Sequence, residues 1–364
     1  MSLPMKTCIL IVNLGTPDAP TPGAVGRYLR EFLGDGRVID FPWLPRKILV
    51  NGIIAPIRRF KSAREYKKVW TDEGSPLLLY GESLQRELQQ RFDTDDARHA
   101  FGGEVKVELA MRYQHPSMDH VMARMEKDRY DRICVLPLYA QYASATTGST
   151  LEKAFKIFSK WYVIPEVVAI SQYWDFDGYL KGFVEQAAAF DLDSYDHILF
   201  SYHGLPERQV DKIYEDRKCA NHSCEDEINP ENRQCYKATC YATSRALAER
   251  LELAEDRYTV CFQSRLDSKW LRPFSDDVIV KRGEGGDKKL LVFSPAFVAD
   301  CLETLIEIGE EYQEVFEEHG GEHVDLVPSL NDHPAWVEGL EDLVRQRMGV
   351  APRPNSVASG EPNP

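Results

Sequence analysis

Short, nearly continuous apolar runs recur along the chain, separated by longer stretches in which apolar residues return every three or four positions. The runs at 7–14, 105–113, 133–139, 167–170, 197–202, 258–263, 278–281 and 290–294 have strand length and strand composition. Helical periodicity marks 24–32, 118–127, 149–161, 178–190, 241–253, 298–318 and 334–348. Strands that are apolar on both faces and alternate with helices predict parallel sheets covered on both sides. A set of such strands predicts an α/β fold of two Rossmann-like, doubly wound lobes around a central cleft. The division is placed near residue 170, giving lobes 1–170 and 171–350. Ligands of such folds sit at the carboxyl ends of the strands.

Two segments break the pattern. Residues 207–240 begin with a stretch poor in apolar side chains and rich in charge, Asn and Cys, and read as an insertion in the second lobe. Residues 351–364 have the composition of a disordered tail.

Length and charge narrow the class. The chain has 364 residues, enough for two lobes with their own cores. Lys and Arg total 44 against 58 Asp and Glu, a net charge of −14, so nucleic acid is a poor partner. No apolar run approaches the ~18 residues of a membrane span, and the first residues carry no signal-peptide core. The expectation is a cytoplasmic protein whose eight Cys are thiols or metal ligands.

Five constellations carry candidate chemistry. The run 198–206 ends a buried strand in His203, where an imidazole faces the expected crevice and exchanges protons near neutral pH. After the strand ending at Ser294, Glu303, Glu307 and Glu311 fall at i, i+4, i+8 of an expected α-helix, a carboxylate row about 12 Å long. Oxygen ligands suit hard divalent cations, and a row can hand an ion along; a solvated acidic face is the plain alternative, since Glu310, Glu314, Glu317 and Glu318 share that side. Arg112 and Tyr113, with Tyr139 and Tyr142, follow apolar strands and offer a guanidinium fork and flat rings. Arg58, Arg59, Lys61, Tyr66, Lys67, Lys68 and Trp70 form the strongest basic cluster, suited to a flat anionic ligand or to a solvated helix face. Cys219, Cys224, Cys235 and Cys240, spaced C-x4-C-x10-C-x4-C, predict a zinc or iron–sulfur centre.

Taken together these segments resemble the ferrochelatases. The resemblance runs from about Ile9 to Leu343 and rests on Ser201-Tyr-His-Gly-Leu-Pro206, Gly74-Ser-Pro76, Arg112-Tyr113, Gln141-Tyr142 with Thr146-Thr-Gly148, Phe262-Gln-Ser264 with Trp270, and Ser294-Pro-Ala-Phe with Asp300-x-x-Glu-Thr-Leu305. It implies insertion of ferrous iron into protoporphyrin IX to form haem, a lyase reaction. By it, His203 and Glu303 match the paired metal-site residues, and Glu307 and Glu311 extend the acidic ladder. Leu14, Arg58, Tyr66 and Ser75 match porphyrin contacts, and Arg112, Tyr113 and Trp270 are read with them. A [2Fe-2S] cluster held partly by a C-terminal extension is excluded, because Ser144 stands at its first position and no Cys follows Cys301. The four Cys of the insertion resemble those of certain bacterial members, in which an in-chain [2Fe-2S] cluster is expected, with zinc as the alternative. A chelatase for coproporphyrin, or for cobalt and a corrin precursor, stays open, as does a non-catalytic binder of haem or an iron chelate. A transient membrane contact follows from the apolar product, without an evident amphipathic anchor; the oligomeric state is not legible.

Overall fold

The computed structural model describes residues 4–354. The first lobe contains β1 (Met5–Asn13), α1 (Pro22–Gly34), α2 (Trp43–Ile48), α3 (Ala55–Val69), α4 (Pro76–Phe92), α5 (Asp95–Phe101), β2 (Gly103–Met111), α6 (Met118–Asp128), β3 (Arg132–Pro137), α7 (Ser149–Phe158) and β4 (Glu166–Ala169). The second contains α8 (Asp177–Ala187), β5 (His197–His203), α9 (Glu207–Val210), α10 (Tyr236–Arg250), β6 (Tyr258–Gln263), α11 (Ser275–Glu284), β7 (Lys289–Phe293), α12 (Tyr312–Glu318), β8 (His323–Leu326) and α13 (Pro334–Met348). Each sheet has four parallel strands, in the orders β2-β1-β3-β4 and β6-β5-β7-β8.

Both orders reverse direction at one place, between β1 and β3 and between β5 and β7, and that is where an open parallel sheet leaves a crevice. The central strands are apolar on both faces: Cys8 to Val12 and Ile198 to Phe200 are fully buried. Helix starts follow local chemistry. Thr21 caps α1, with Pro22 at its first position, and Ser117 caps α6 through the His120 N–H.

The lobes are not independent. One continuous apolar core contains Ile9 and Leu136 of the first sheet and Phe200 and Phe293 of the second. Helix α13 returns from the second lobe to the first, where the buried Arg345 meets Asp96 and the Met348 carbonyl accepts from Arg132. It lies so close to α8 that a Cβ on Gly178 would come within 2.4 Å of the Gly339 Cα, so both positions need glycine.

Several predicted elements differ. Residues 278–281, expected as a strand, lie inside α11. A four-residue apolar run has no readable period, and Asp276 and Asp277 at its start with Lys281 and Arg282 at its end complement a helix dipole. The edge strand β8, only four residues long, was not foreseen, nor were α3, α4 and α5 as elements. Residues 298–302 precede the helix expected there, and Glu303–Glu311 winds as a π-helix, leading into α12. The insertion is not a bare loop: it opens with α9, and Cys235 and Cys240 belong to the N-cap and body of α10. Of the tail, residues 355–364 lie outside the described residues; Arg353 before them bonds Asp342 and Glu338. Among the described residues no helix is long and apolar enough to cross a membrane.

A cleft between two sheet ends

The carboxyl ends of β1, β3, β5 and β7 face one another across a cavity of ≈ 540 Å³. Its wall takes Leu14 after β1, Leu138 and Gln141 after β3, His203 at the end of β5 and Phe297 after β7. All four strand ends at the two reversal points therefore open into one space. Most of the remaining wall is apolar, which suits a large flat hydrophobic ligand.

His203 is half-buried, between Trp270 and Phe297 with ring centres 6.4 and 6.3 Å away. Its Nδ1 lies 2.7 Å from the Gly204 carbonyl. A carbonyl only accepts, so Nδ1 carries a proton, and in the neutral imidazole this leaves the lone pair on Nε2, the form of a base. Gly204 is required: a Cβ there would sit 2.7 Å from the Gln263 carbonyl and 3.2 Å from the Trp270 ring.

Glu303 lines the same cavity, and Glu307 follows it one turn on. Glu307 is held by the strand end of β6: Ser264 donates its N–H at 2.7 Å and its hydroxyl, and Gln263 donates its amide at 3.3 Å. Burial pushes its carboxyl above the usual range, against the pull of Ser264 and His203, while the charge of Glu303 adds to the rise. Glu311 is exposed, at the outer end of the row. Glu310 pairs with Lys68 at 2.9 Å, away from the cavity. His203, Glu303 and Glu307 do not close on one point. Among the described residues the only trio of potential metal donors that does so is made of cysteines. An open string of donors fits a metal in passage better than a resident one.

The other predicted residues divide. Leu14, Arg58, Tyr66, Ser75 and Trp270 line the cavity with His203 and Glu303. Ser75 is buried and shares a 2.9 Å hydrogen bond with Thr16. Arg58 is exposed at the rim and has no ion-pair partner among the described residues, so its guanidinium is free for a carboxylate. Burial, with Glu303 nearby, keeps the Tyr66 phenol protonated. Arg112 and Tyr113 do not line the cavity. The Arg112 fork is engaged by Asp35 at 2.5 Å and Ser149 at 2.7 Å, and the Tyr113 hydroxyl donates to Asp35 at 2.9 Å. Burial would raise the Asp35 carboxyl, but bonds from Ser149 and the Arg37 N–H, with the Arg112 charge, hold it below the usual carboxylate range. The pair thus braces the end of α1 against the end of β2 and the start of α7, behind the cavity.

In the insertion, the Sγ atoms of Cys219, Cys224 and Cys235 lie 3.4, 3.7 and 3.8 Å apart, all buried. Bonds of ~2.3 Å from a tetrahedral ion would space thiolates by about 3.8 Å. Three of the four predicted ligands therefore fit around one metal. Cys240 is buried on α10 outside this trio, next to Tyr236. The segment is ordered by polar bonds together with the packing of Val210, Tyr214 and the cysteines on the core. Asn232 bonds the carbonyls of His222 and Glu227, Asp211 accepts from the Cys219 N–H at 2.8 Å, and the Tyr214 hydroxyl lies 2.9 Å from the Cys224 sulfur.

Sequence reasoning assigned no role to Gln263, Ser264 or Tyr236. Ser264 adopts φ 61°, a left-handed conformation no local residue pattern announces, and this turns its N–H and hydroxyl together toward Glu307. Tyr236 was hidden among the cysteines.

Relatives point to the same chemistry. Residues 6–348 match the sequence profile of the family described as Ferrochelatase. A ferrochelatase of Legionella pneumophila (strain Lens) is 40% identical over 345 residues, spanning 94% of this chain and 100% of that one. One of Coxiella burnetii (strain Dugway 5J108-111) is 38% identical over 348 residues, covering 94% of each. Among solved structures, SirB from Bacillus subtilis with Fe3+ superposes with a TM-score of 0.52 at 12% identity, over 94% of this chain and 96% of the other, a likeness of fold. A SirB from Bacillus subtilis subspecies spizizenii in complex with cobalt gives 0.51 at 11%, over 95% and 96%. Profile and relatives cover both sheets and the whole cavity wall, and on that ground the chain belongs to the ferrochelatase family, enzymes of haem biosynthesis that insert a metal ion into a porphyrin.

Proposed function

We propose that this chain is a lyase acting in the cytoplasm, inserting Fe(II) into protoporphyrin IX with release of two pyrrole protons. The observation that carries this reading is His203, poised as a base where four strand ends of the two sheets meet, with Glu303 on the same wall. The macrocycle packs on the apolar wall, with Leu14 and Trp270 against it and a propionate on Arg58. Nε2 of His203 takes a pyrrole proton as the nitrogen lone pair turns to the metal. Glu303 meets the arriving cation, and Glu307 and Glu311 supply it from the surface. Glu307, raised in pKa and clamped by Ser264, is suited to exchanging a proton as the ion passes.

The insertion binds a metal centre. The resemblance gives a [2Fe-2S] cluster on Cys219, Cys224, Cys235 and Cys240; the spacing of the three converging sulfurs favours a second reading, one zinc. A cluster would need Cys240 to turn toward the trio. Either centre would supply folding energy to a segment with little apolar surface of its own.

The rim carries a membrane contact. Phe41, Trp43, Leu44, Ile48, Ile53, Ile57 and Phe60 are exposed on the stretch leading through α2 into α3, with Trp43 63% and Ile57 69% accessible. Arg46, Lys47, Arg58, Arg59 and Lys61 are interleaved with them, and Lys47 and Arg59 lie over the Trp43 and Phe60 rings. Leu266, 72% exposed, also lines the cavity. Apolar and basic groups together fit an anionic bilayer surface, from which an apolar substrate could enter and to which haem could leave.

Four outcomes follow. With anaerobic Fe(II) and protoporphyrin IX the protein should form haem, and His203→Ala should fold and bind porphyrin but lose turnover by at least ~10²-fold, as removal of a general base does. Haem formation only from coproporphyrin, or near-normal turnover of the variant, contradicts the reading. Glu303→Gln should cripple kcat, whereas Glu311→Gln should chiefly raise the KM for Fe(II); equal damage from Glu310→Gln would reduce the row to a diffuse acidic face. Anaerobically purified protein should contain about two irons and two sulfides per chain, with a colour that dithionite bleaches. A colourless protein with one zinc keeps the site and rejects the cluster, and four free thiols without metal reject both. Flotation with phosphatidylglycerol-rich vesicles should retain the native chain and release Trp43→Ser/Ile57→Ser/Phe60→Ser, and equal flotation of both removes the docking surface.

A further inference from the structure

The thiol-rich segment and His203 are joined by one residue. Tyr236 follows Cys235, the N-cap of α10, and its buried hydroxyl donates to the backbone carbonyl of His203 at 2.9 Å. That carbonyl stands at the last residue of β5, where the ladder to β6 stops at the His203–Gln263 pair. The other end of the same peptide unit is also held: the Gly204 N–H donates to the Gln263 carbonyl at 2.8 Å. With both its carbonyl and its N–H fixed, the plane between His203 and Gly204 has one orientation. That orientation sets the Cα–Cβ direction of His203 and the start of Gly204, whose own carbonyl fixes Nδ1.

The first of these two clamps depends on where α10 begins. The start of α10 is tied to the rest of the insertion through the Cys235 sulfur, 3.7 Å from Cys219 and 3.8 Å from Cys224. The Cys235 N–H is also engaged, by the Asn232 carbonyl at 2.7 Å. The same insertion grips the rim of the cavity. Asp40 of the first lobe pairs with Arg208 at 2.5 Å and Lys212 at 2.6 Å, and Gln209 donates to the Val38 carbonyl. The insertion is thus fastened at the rim by α9 and at the base of the site by Tyr236, with the three sulfurs between.

We infer that Tyr236, on the cavity wall, is a positioning residue for His203, through which the cysteine centre, whose sulfurs lie outside the cavity, sets metalation competence. This rests on His203 as the proton acceptor. A hydrogen bond to a backbone carbonyl adds no group to the reaction, so its loss acts on kcat through misplacement of the imidazole, and displacements of ~1 Å can remove about 10²-fold in rate.

The test uses the full-length protein. Tyr236→Phe keeps the ring and removes only the hydroxyl. Expected are a kcat lower by about tenfold or more, a porphyrin KM within about twofold of native, and a shifted acidic limb in the pH profile of kcat, where protonation of the base cuts the rate. Its metal and sulfide content should equal that of the native chain. Cys235→Ser should lose activity in the native background and little further in the Tyr236→Phe background, because both break the same link. An independent readout needs no Tyr236 variant. Amide exchange at Gly204 should accelerate in Cys235→Ser, while residues 198–202 inside β5 stay protected. Unchanged kcat in Tyr236→Phe, additive losses in the double variant, or unchanged exchange at Gly204 would overturn the inference. Near-normal turnover of His203→Ala would instead overturn the assignment of the base, a separately readable failure.

Discussion

A parallel strand buried on both faces can present polar chemistry only where it ends. That constraint organises this molecule. Cys8 to Val12 and Ile198 to Phe200 leave no side of β1 or β5 open, so Asn13 and His203, the last residues of the two strands, are the first to line the cavity. Each four-stranded sheet has one reversal point, and the shared core beneath α8 and α13 turns the two points toward each other. The cavity follows from this arrangement more than from any one side chain. A wall contributed by four strand ends is rigid, as the distortion of a planar macrocycle and the placement of a base both require.

Charge is used sparingly inside. Of the carboxylate row only Glu303 lines the cavity, and Glu307 and Glu311 are spaced behind it rather than gathered, so the three do not converge to trap a divalent ion. Glu307 shows how the row is controlled: Ser264 and Gln263 bind it by three donors while burial resists its ionisation. The cysteines do the opposite. They are gathered, buried and surrounded by polar bonds that shape a segment with few apolar residues, as suits a permanent centre. The same fold thus offers an open row of donors, suited to a metal in passage, and a converged trio, suited to one in residence.

Much of this was legible from residue order, for physical reasons. Long apolar runs announced β1, β3 and β5, and helical periodicity announced α6, α8 and α13. The run 278–281 misled because four apolar residues carry no period, and β8 escaped because His and Asp interrupt it. Of the site, His203 was readable from its place at a strand end and the glutamates from their i, i+4 spacing, which places neighbours together even in a π-helix. Arg112 and Tyr113 were visible as a polar pair after a strand, but their partner Asp35 lies 77 positions from Arg112 in sequence. Ser264 and Tyr236 act through a backbone angle and a backbone carbonyl, neither of which leaves a side-chain pattern. Convergence of three cysteines without the fourth depends on the helix that Cys240 occupies.

The central claim is that the porphyrin lies in the cleft between the two sheet ends with its ring centre facing His203. A crystal structure with free-base protoporphyrin IX bound tests it directly. The macrocycle should pack between Leu14 and Trp270, with a propionate on Arg58 and His203 Nε2 turned to the pyrrole nitrogens. A macrocycle bound outside this cleft, or in it with His203 facing away from its nitrogens, would contradict the account.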